Sequence, residues 1–143
     1  MTRANPAFRN AYSELIPLLL RWNDVDKYDH VNNTIHFQLF DTAINNWLIN
    51  NNLFQTAAEP ICLVVHQSCD YFSEVRLNDR ILIGIGIKRI GSSSIVYAPA
   101  LFVNDEPVSA AQGEYVHVAV DRKTRRPFQI PERSLDVLRT LQL

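Results

Sequence analysis

Apolar residues recur along this chain with two different periods, and the change of period marks its elements. Phe40, Ala43, Ile44, Trp47 and Leu48 fall at i, i+3, i+4, i+7 and i+8, one face of a helix. Asn32 or Asn33 is placed to cap its start, because a short polar side chain accepts from the free N–H groups of a first turn. Asn50, Asn51 and Asn52 follow, and asparagine tolerates the left-handed conformation of a C-terminal stop. Ile35, Phe37 and Leu39 add apolar positions off the main stripe, which suits a helix wrapped by a curved sheet.

Elsewhere the period is two. Residues 12–22, 61–72, 80–90, 94–103 and 107–120 read as strands. In the clearest, Ile81, Ile83, Ile85 and Ile87 alternate onto one face, while Leu82, Gly84, Gly86 and Lys88 take the other. Two glycines on one face point to something packed close against them, and the helix is the candidate. Pro17 and Pro99 suit edge or bulge positions. Gly91 with Ser92 and Ser93, and Asn104 with Asp105, read as turns. Residues 134–143 read as a short helix capped by Ser134, and residues 1–11 as a mobile arm. Strands joined mostly by tight hairpins make an antiparallel sheet whose apolar face the helix must cover, an α+β fold.

The length of 143 residues suits a single domain over residues 1–143. A net charge of −1 leaves no footprint for nucleic acid, and the basic run at 122–126 stands alone. The apolar stretch at residues 15–20 is too short, and too broken by Pro17, to span a membrane. Cys62 and Cys69 lie too far apart on one strand for a disulfide, at about 3.3 Å per residue. A reduced, cytoplasmic setting is therefore expected.

Chemistry concentrates just before the helix. Asp24, Asp26, Asp29 and His30 precede an N-terminus whose unpaired N–H groups and partial positive charge favour anions. On this pattern alone Asp24, Asp26 and Asp29 read first as solvated loop acids that complement the helix dipole. Asp41, two turns into the helix, reads as a surface or interface partner. His36, His66 and His117 are scattered without metal-ligand spacing, so no metal is expected.

The run RWNDVDKYDHVNN, then FDTA, DYF, RIGSSS and VDRKTRRPFQIP, resembles the hotdog-fold acyl-CoA thioesterases of the 4-hydroxybenzoyl-CoA thioesterase branch. The resemblance covers residues 18–131. It implies a five-stranded antiparallel sheet wrapped around one long central helix. It also implies a homodimer joined edge to edge, with active sites at the subunit interface, and a homotetramer as a further assembly. Asp26 matches the family's catalytic carboxylate. The backbone N–H groups around His30 and Val31 match the donors that hold the thioester oxygen, and Asn32 and Asn33 match the pair that opens the helix. Tyr71, in the DYF element, counts among the substrate-binding residues, as do Arg89, Ser92 and Ser93, with Arg122 and Lys123 as further candidates for coenzyme A phosphates. Three positions depart from the family's habit: Asp29 where glycine is usual, Phe37 where tyrosine is frequent, and Glu74 where proline is frequent.

The implied reaction is hydrolysis of an acyl-CoA thioester, with coenzyme A as part of the substrate and no separate cofactor. Asp26 would act either as a general base on water or as a nucleophile. Two other activities stay open on the same fold. One is a module that binds acyl-CoA or an acyl carrier without hydrolysis, and the other is a hydratase or dehydratase.

Overall fold

The structure, a computed structural model, describes residues 4–143. Helix α1 (Asn33–Asn50) begins where the sequence supplies a cap: the Thr34 N–H donates to Asn32 Oδ1 at 2.9 Å. It ends at Asn51, and Asn52 follows with a left-handed φ of 56°. His36, Leu39, Phe40, Ala43, Ile44, Trp47 and Leu48 form its buried face. Gln38, Asp41, Thr42 and Asn46 on the other side are exposed, and Ile35 and Phe37 are half-buried. Within this chain α1 therefore buries one stripe and is not enclosed, although its scattered apolar residues suggested enclosure.

The strands are β1 (Glu14–Leu18), β2 (Ile61–Tyr71), β3 (Ile81–Ile85), β4 (Ile87–Ile90), β5 (Ser94–Tyr97), β6 (Ala100–Val103) and β7 (Ala111–Val120). They form one antiparallel sheet in the order β1-β3-β6-β7-β5-β4, with β2 along the other side of β7. The sheet has seven strands where five were expected, because two of the expected strands are each interrupted. The first breaks at Gly86, which keeps one cross-strand bond, its carbonyl accepting the Ala98 N–H at 2.8 Å, while the Ala98 carbonyl accepts the Tyr12 hydroxyl at 2.8 Å instead of completing the ladder. The second breaks at Ala98 and Pro99, where proline has no N–H to give.

Ile81, Ile83, Ile85 and Ile87 face the core together with α1, Tyr97, Leu101 and Tyr115. The two strand glycines face the other way, and α1 is not what covers them. A Cβ on Gly84 would stand 2.7 Å from the Tyr12 ring, and one on Gly86 would stand 2.6 Å from the Leu143 side chain. Both close approaches come from segments near the chain ends. The first strand is shorter than expected: after Leu18 the chain leaves the sheet and makes a short 3-10 turn, Trp22–Asp24. Asp24, 3% exposed, accepts the Arg21 N–H at 2.7 Å and the Arg21 guanidinium at 3.0 Å. Its carbonyl accepts the Asn32 N–H at 2.9 Å, so Asp24 fixes the approach to α1.

Part of the expected mobile arm is docked. Ala7 donates to Ser109 Oγ at 3.0 Å and to Gln112 Oε1 at 2.6 Å, and the Arg9 guanidinium reaches the Asn104 carbonyl at 2.6 Å. Residues 1–3 of that arm lie outside the described residues. The last helix, α2 (Glu132–Leu138), starts two residues before the expected cap. Pro131, with φ locked at −59°, leads into it without a side-chain cap, and Ser134 lies buried inside. Leu138, and Leu141 in the turn after it, close the core.

Candidate functional site

Residues 25–31 form a tight loop closed by a bridge between Val25 and Val31. Asp26 organises it from within. Its Oδ1 accepts the Tyr28 N–H at 2.8 Å and the His30 N–H at 3.3 Å. Its own N–H donates to the His30 carbonyl at 2.8 Å. Asp29 sits at the sharpest point with φ of 60°, in the left-handed region that suits the family's usual glycine and that aspartate tolerates. Asp29→Ala is therefore expected to lower stability by about 1–2 kcal/mol, read from denaturant midpoints, while Asp29→Gly unfolds no more easily than the parent.

The far wall of the site comes from the end of β2 and the segment after it. The Tyr71 hydroxyl donates to the Asn33 carbonyl at 2.8 Å, tying β2 to the first turn of α1. The Val31 N–H donates to the Val75 carbonyl at 2.7 Å, tying the Asp26 loop to the same segment. Between them lies a cleft of about 390 Å³. Asp26, His30, Val31, Asn33 and Tyr71 line it, so five residues singled out in the sequence share one cavity.

Five lining residues carried no expected role: His36, Phe72, Ser73, Glu74 and Val75. Glu74 Oε2 lies 3.0 Å from His30 Nε2 and 3.8 Å from Arg76 Nη2, and Arg76 Nη1 lies 4.0 Å from Asp29 Oδ2. These lip charges are solvent-exposed, and such pairs contribute about 0–1 kcal/mol each. His36 is buried, and burial pushes its imidazole below the ordinary histidine range. Burial raises the Tyr71 hydroxyl to about 12, so it stays a neutral donor. Helical spacing gave a signal for His36: it stands three residues after Asn33 and so shares its face.

Several expected roles do not match the geometry. The Val31 amide is committed to Val75, so it is not free to grip a substrate oxygen. The Asn32 side chain is occupied as the helix cap, holding both the N–H and the hydroxyl of Thr34. Arg89, on β4, and Ser92 and Ser93, in the turn after it, lie outside the cleft of their own chain. The serine carbonyls hold the Ile130 and Ala119 amides. Arg122 spends its guanidinium on the Thr56 and Glu59 carbonyls, at 2.8 and 3.1 Å. Asp41 accepts from the Tyr115 hydroxyl at 2.5 Å, and His117 Nε2 lies 3.1 Å from that hydroxyl. This cluster sits between α1 and β7, apart from the cleft, and burial lowers His117 to about 4.

The likeness to known proteins extends over most of the chain. The PA5185 protein of Pseudomonas aeruginosa strain PAO1 superposes with a TM-score of 0.90 at 41% identity, over 96% of this chain and 97% of that one. A thioesterase of Thermus thermophilus, solved with coenzyme A and Zn, matches with a TM-score of 0.74 at 22% identity, over 90% of this chain and 98% of its own; this likeness is one of fold. A 1,4-dihydroxy-2-naphthoyl-CoA hydrolase of Synechococcus sp. (strain CC9605) is 33% identical over 69 residues, 48% of this chain and 45% of that protein. The chain spans about half the length of the curated relatives it matches. Among the described residues no helix is long and apolar enough to cross a membrane. The sequence profile of the thioesterase-like superfamily matches residues 20–138, a range that holds the Asp26 loop, α1 and strands β2 to β7, and the chain belongs to that superfamily.

Proposed function

We propose that the chain hydrolyses an acyl-CoA thioester to the free acid and coenzyme A. Asp26 carries the proposal: one of its carboxylate oxygens is tied down by two backbone amides, inside a cleft at the mouth of α1. A carboxylate fixed in this way is set to take a proton from water or to attack the carbonyl itself. The departing thiolate needs little help, since a simple thiol has a pKa of about 8.5. With Val31 engaged elsewhere, we assign the carbonyl oxygen to two other amides. One is that of Asn33, the first residue of α1, which donates to no acceptor among the described residues. The other is that of His30, whose bond to Asp26 is long at 3.3 Å. Losing one such donor typically lowers the rate by about 10²–10³-fold.

Coenzyme A enters as part of the substrate, and no separate cofactor is called for. In support, the Synechococcus relative is a hydrolase of a CoA thioester, and the Thermus protein was solved with coenzyme A. The unbridged thiols of Cys62 and Cys69 agree with a cytoplasmic setting.

The proposed enzyme is a homodimer joined along β2. Among the described residues β2 pairs only with β7, and its exposed edge carries Leu63, Val64 and Val65, the last 60% exposed. Two β2 strands related by a twofold axis run antiparallel, so the Ile61 end of one meets the Tyr71 end of the other. The turn holding Ser92 and Ser93 lies at the Ile61 end, because Ser93 binds Ala119 and Ala119 faces Cys62. A partner's turn would thus reach the cleft that its own chain's turn does not, and there contact coenzyme A phosphates.

A non-hydrolysing acyl-CoA module is the second reading, favoured by the carboxylates of Asp29 and Glu74 at the cleft lip and by the engaged Val31 amide. Free thiol released from a panel of acyl-CoAs separates the two. Turnover of at least one member is expected, whereas tight binding without thiol release across the panel would establish the module instead.

A further inference from the structure

We propose that His36 is a catalytic residue that fixes the attacking water beside Asp26; this rests on the hydrolytic reading above. His36 lines the same cleft as Asp26 and Tyr71, although it is only 4% exposed. Its ring is held from two sides. Nδ1 lies 3.3 Å from the Asn32 carbonyl, and a carbonyl only accepts, so Nδ1 carries the proton. The ring meets that of Tyr71 edge-on, with centroids 4.8 Å apart at 85°. Tyr71 is itself pinned through its hydroxyl to Asn33. Burial favours the neutral imidazole, which leaves Nε2 with a lone pair.

An apolar ring would fill this space without burying polar atoms, a burial that costs about 1–3 kcal/mol when they lack a partner. A bare acceptor on a ring that lines the cleft has a use that the carboxylate cannot cover alone. Water has two O–H bonds. Asp26 takes the proton that is transferred, and Nε2 accepts the other O–H and so aims the oxygen at the carbonyl carbon. The new O–C bond forms, the carbonyl π pair moves onto its oxygen, and the proton passes to Asp26. Collapse of the adduct then breaks the C–S bond and releases the thiolate, while His36 keeps its own proton throughout. If Asp26 attacks directly, the same hold applies to the water that opens the anhydride.

The test measures thiol release from the best acyl-CoA of the panel by His36→Phe, His36→Gln and Asp26→Asn. Glutamine offers an N–H for the Asn32 carbonyl and an oxygen for the water; phenylalanine offers the bulk alone. His36→Phe is expected to lower kcat by about 10²-fold with KM within about twofold, and His36→Gln to stay within about tenfold of the parent. Equal rates in the phenylalanine and glutamine variants, whether high or low, overturn the proposal, because the ring would then serve only to fill space. Full activity in Asp26→Asn overturns the hydrolytic reading and this proposal together. Loss of activity in Asp26→Asn with a fully active His36→Phe overturns the role of His36 alone.

Discussion

Asp26→Asn is expected to lower thioester turnover by about 10²–10⁴-fold while the protein melts where the parent does. The two halves of this result come from different oxygens of one side chain. Oδ1 holds the Tyr28 and His30 amides, and an asparagine carbonyl oxygen accepts both equally well. The loop therefore keeps its shape. What disappears is the negative charge, and with it both the base and the nucleophile. KM should move little, because the residues proposed to contact coenzyme A lie outside the cleft that holds this charge. The check is kcat and KM from thiol release alongside a thermal denaturation curve. Unchanged kcat would exclude Asp26 from the chemistry. A lowered melting point with lost activity would show that the charge holds the loop together.

Gly113→Ala should be the most destabilising single methyl group in the molecule. A Cβ on Gly113 would stand 2.1 Å from the Ser68 carbonyl oxygen, and behind it the Phe40 ring is 3.3 Å away. The first obstacle is backbone, so no rotamer change relieves it, and β2 must part from β7. Overpacking of this kind costs about 3 kcal/mol, which corresponds to a drop in melting temperature of roughly 10 °C for a chain of this size. Gly113 pairs with Cys69, and Tyr71 lies two residues further along β2. Displacing that strand loosens the Tyr71 hydroxyl from Asn33 and opens the far wall of the cleft. A melting temperature within about 2 °C of the parent would mean that the two strands give way more easily than this spacing implies.

What the sequence made legible follows the range of the interactions. The helix, its cap at Asn32, its left-handed stop at Asn52 and the buried stripe from Phe40 to Leu48 are local matters of spacing, and they appear where periodicity placed them. The Asp26 loop was also local, and its residues converge on one cleft. The commitment of the Val31 amide to Val75 was not legible, because it joins segments far apart in the chain. The strand interruptions depend on where the ladder releases a carbonyl, and a run of isoleucines alone does not encode that. Gly84 and Gly86 announced a close neighbour, but only the fold identifies Tyr12 and Leu143. His36 showed the limit most clearly. As one histidine among four it carried no metal-ligand pattern; helical spacing puts it on the face of Asn33, but only the fold shows Tyr71 and Asn32 holding it in a cavity.

The irregularity in β2 acts as a notch. The pairing with β7 slips between Val64 and His66, so that Val65 has no counterpart there. A second strand laid along the outer edge meets a ladder that changes phase at that point. Sliding the newcomer by two residues, which a uniform edge would permit at little cost, would misalign donors and acceptors on one side of the notch. Alignment at the proposed seam would thus be keyed to a single setting, much as a tooth fits one gap in a rack.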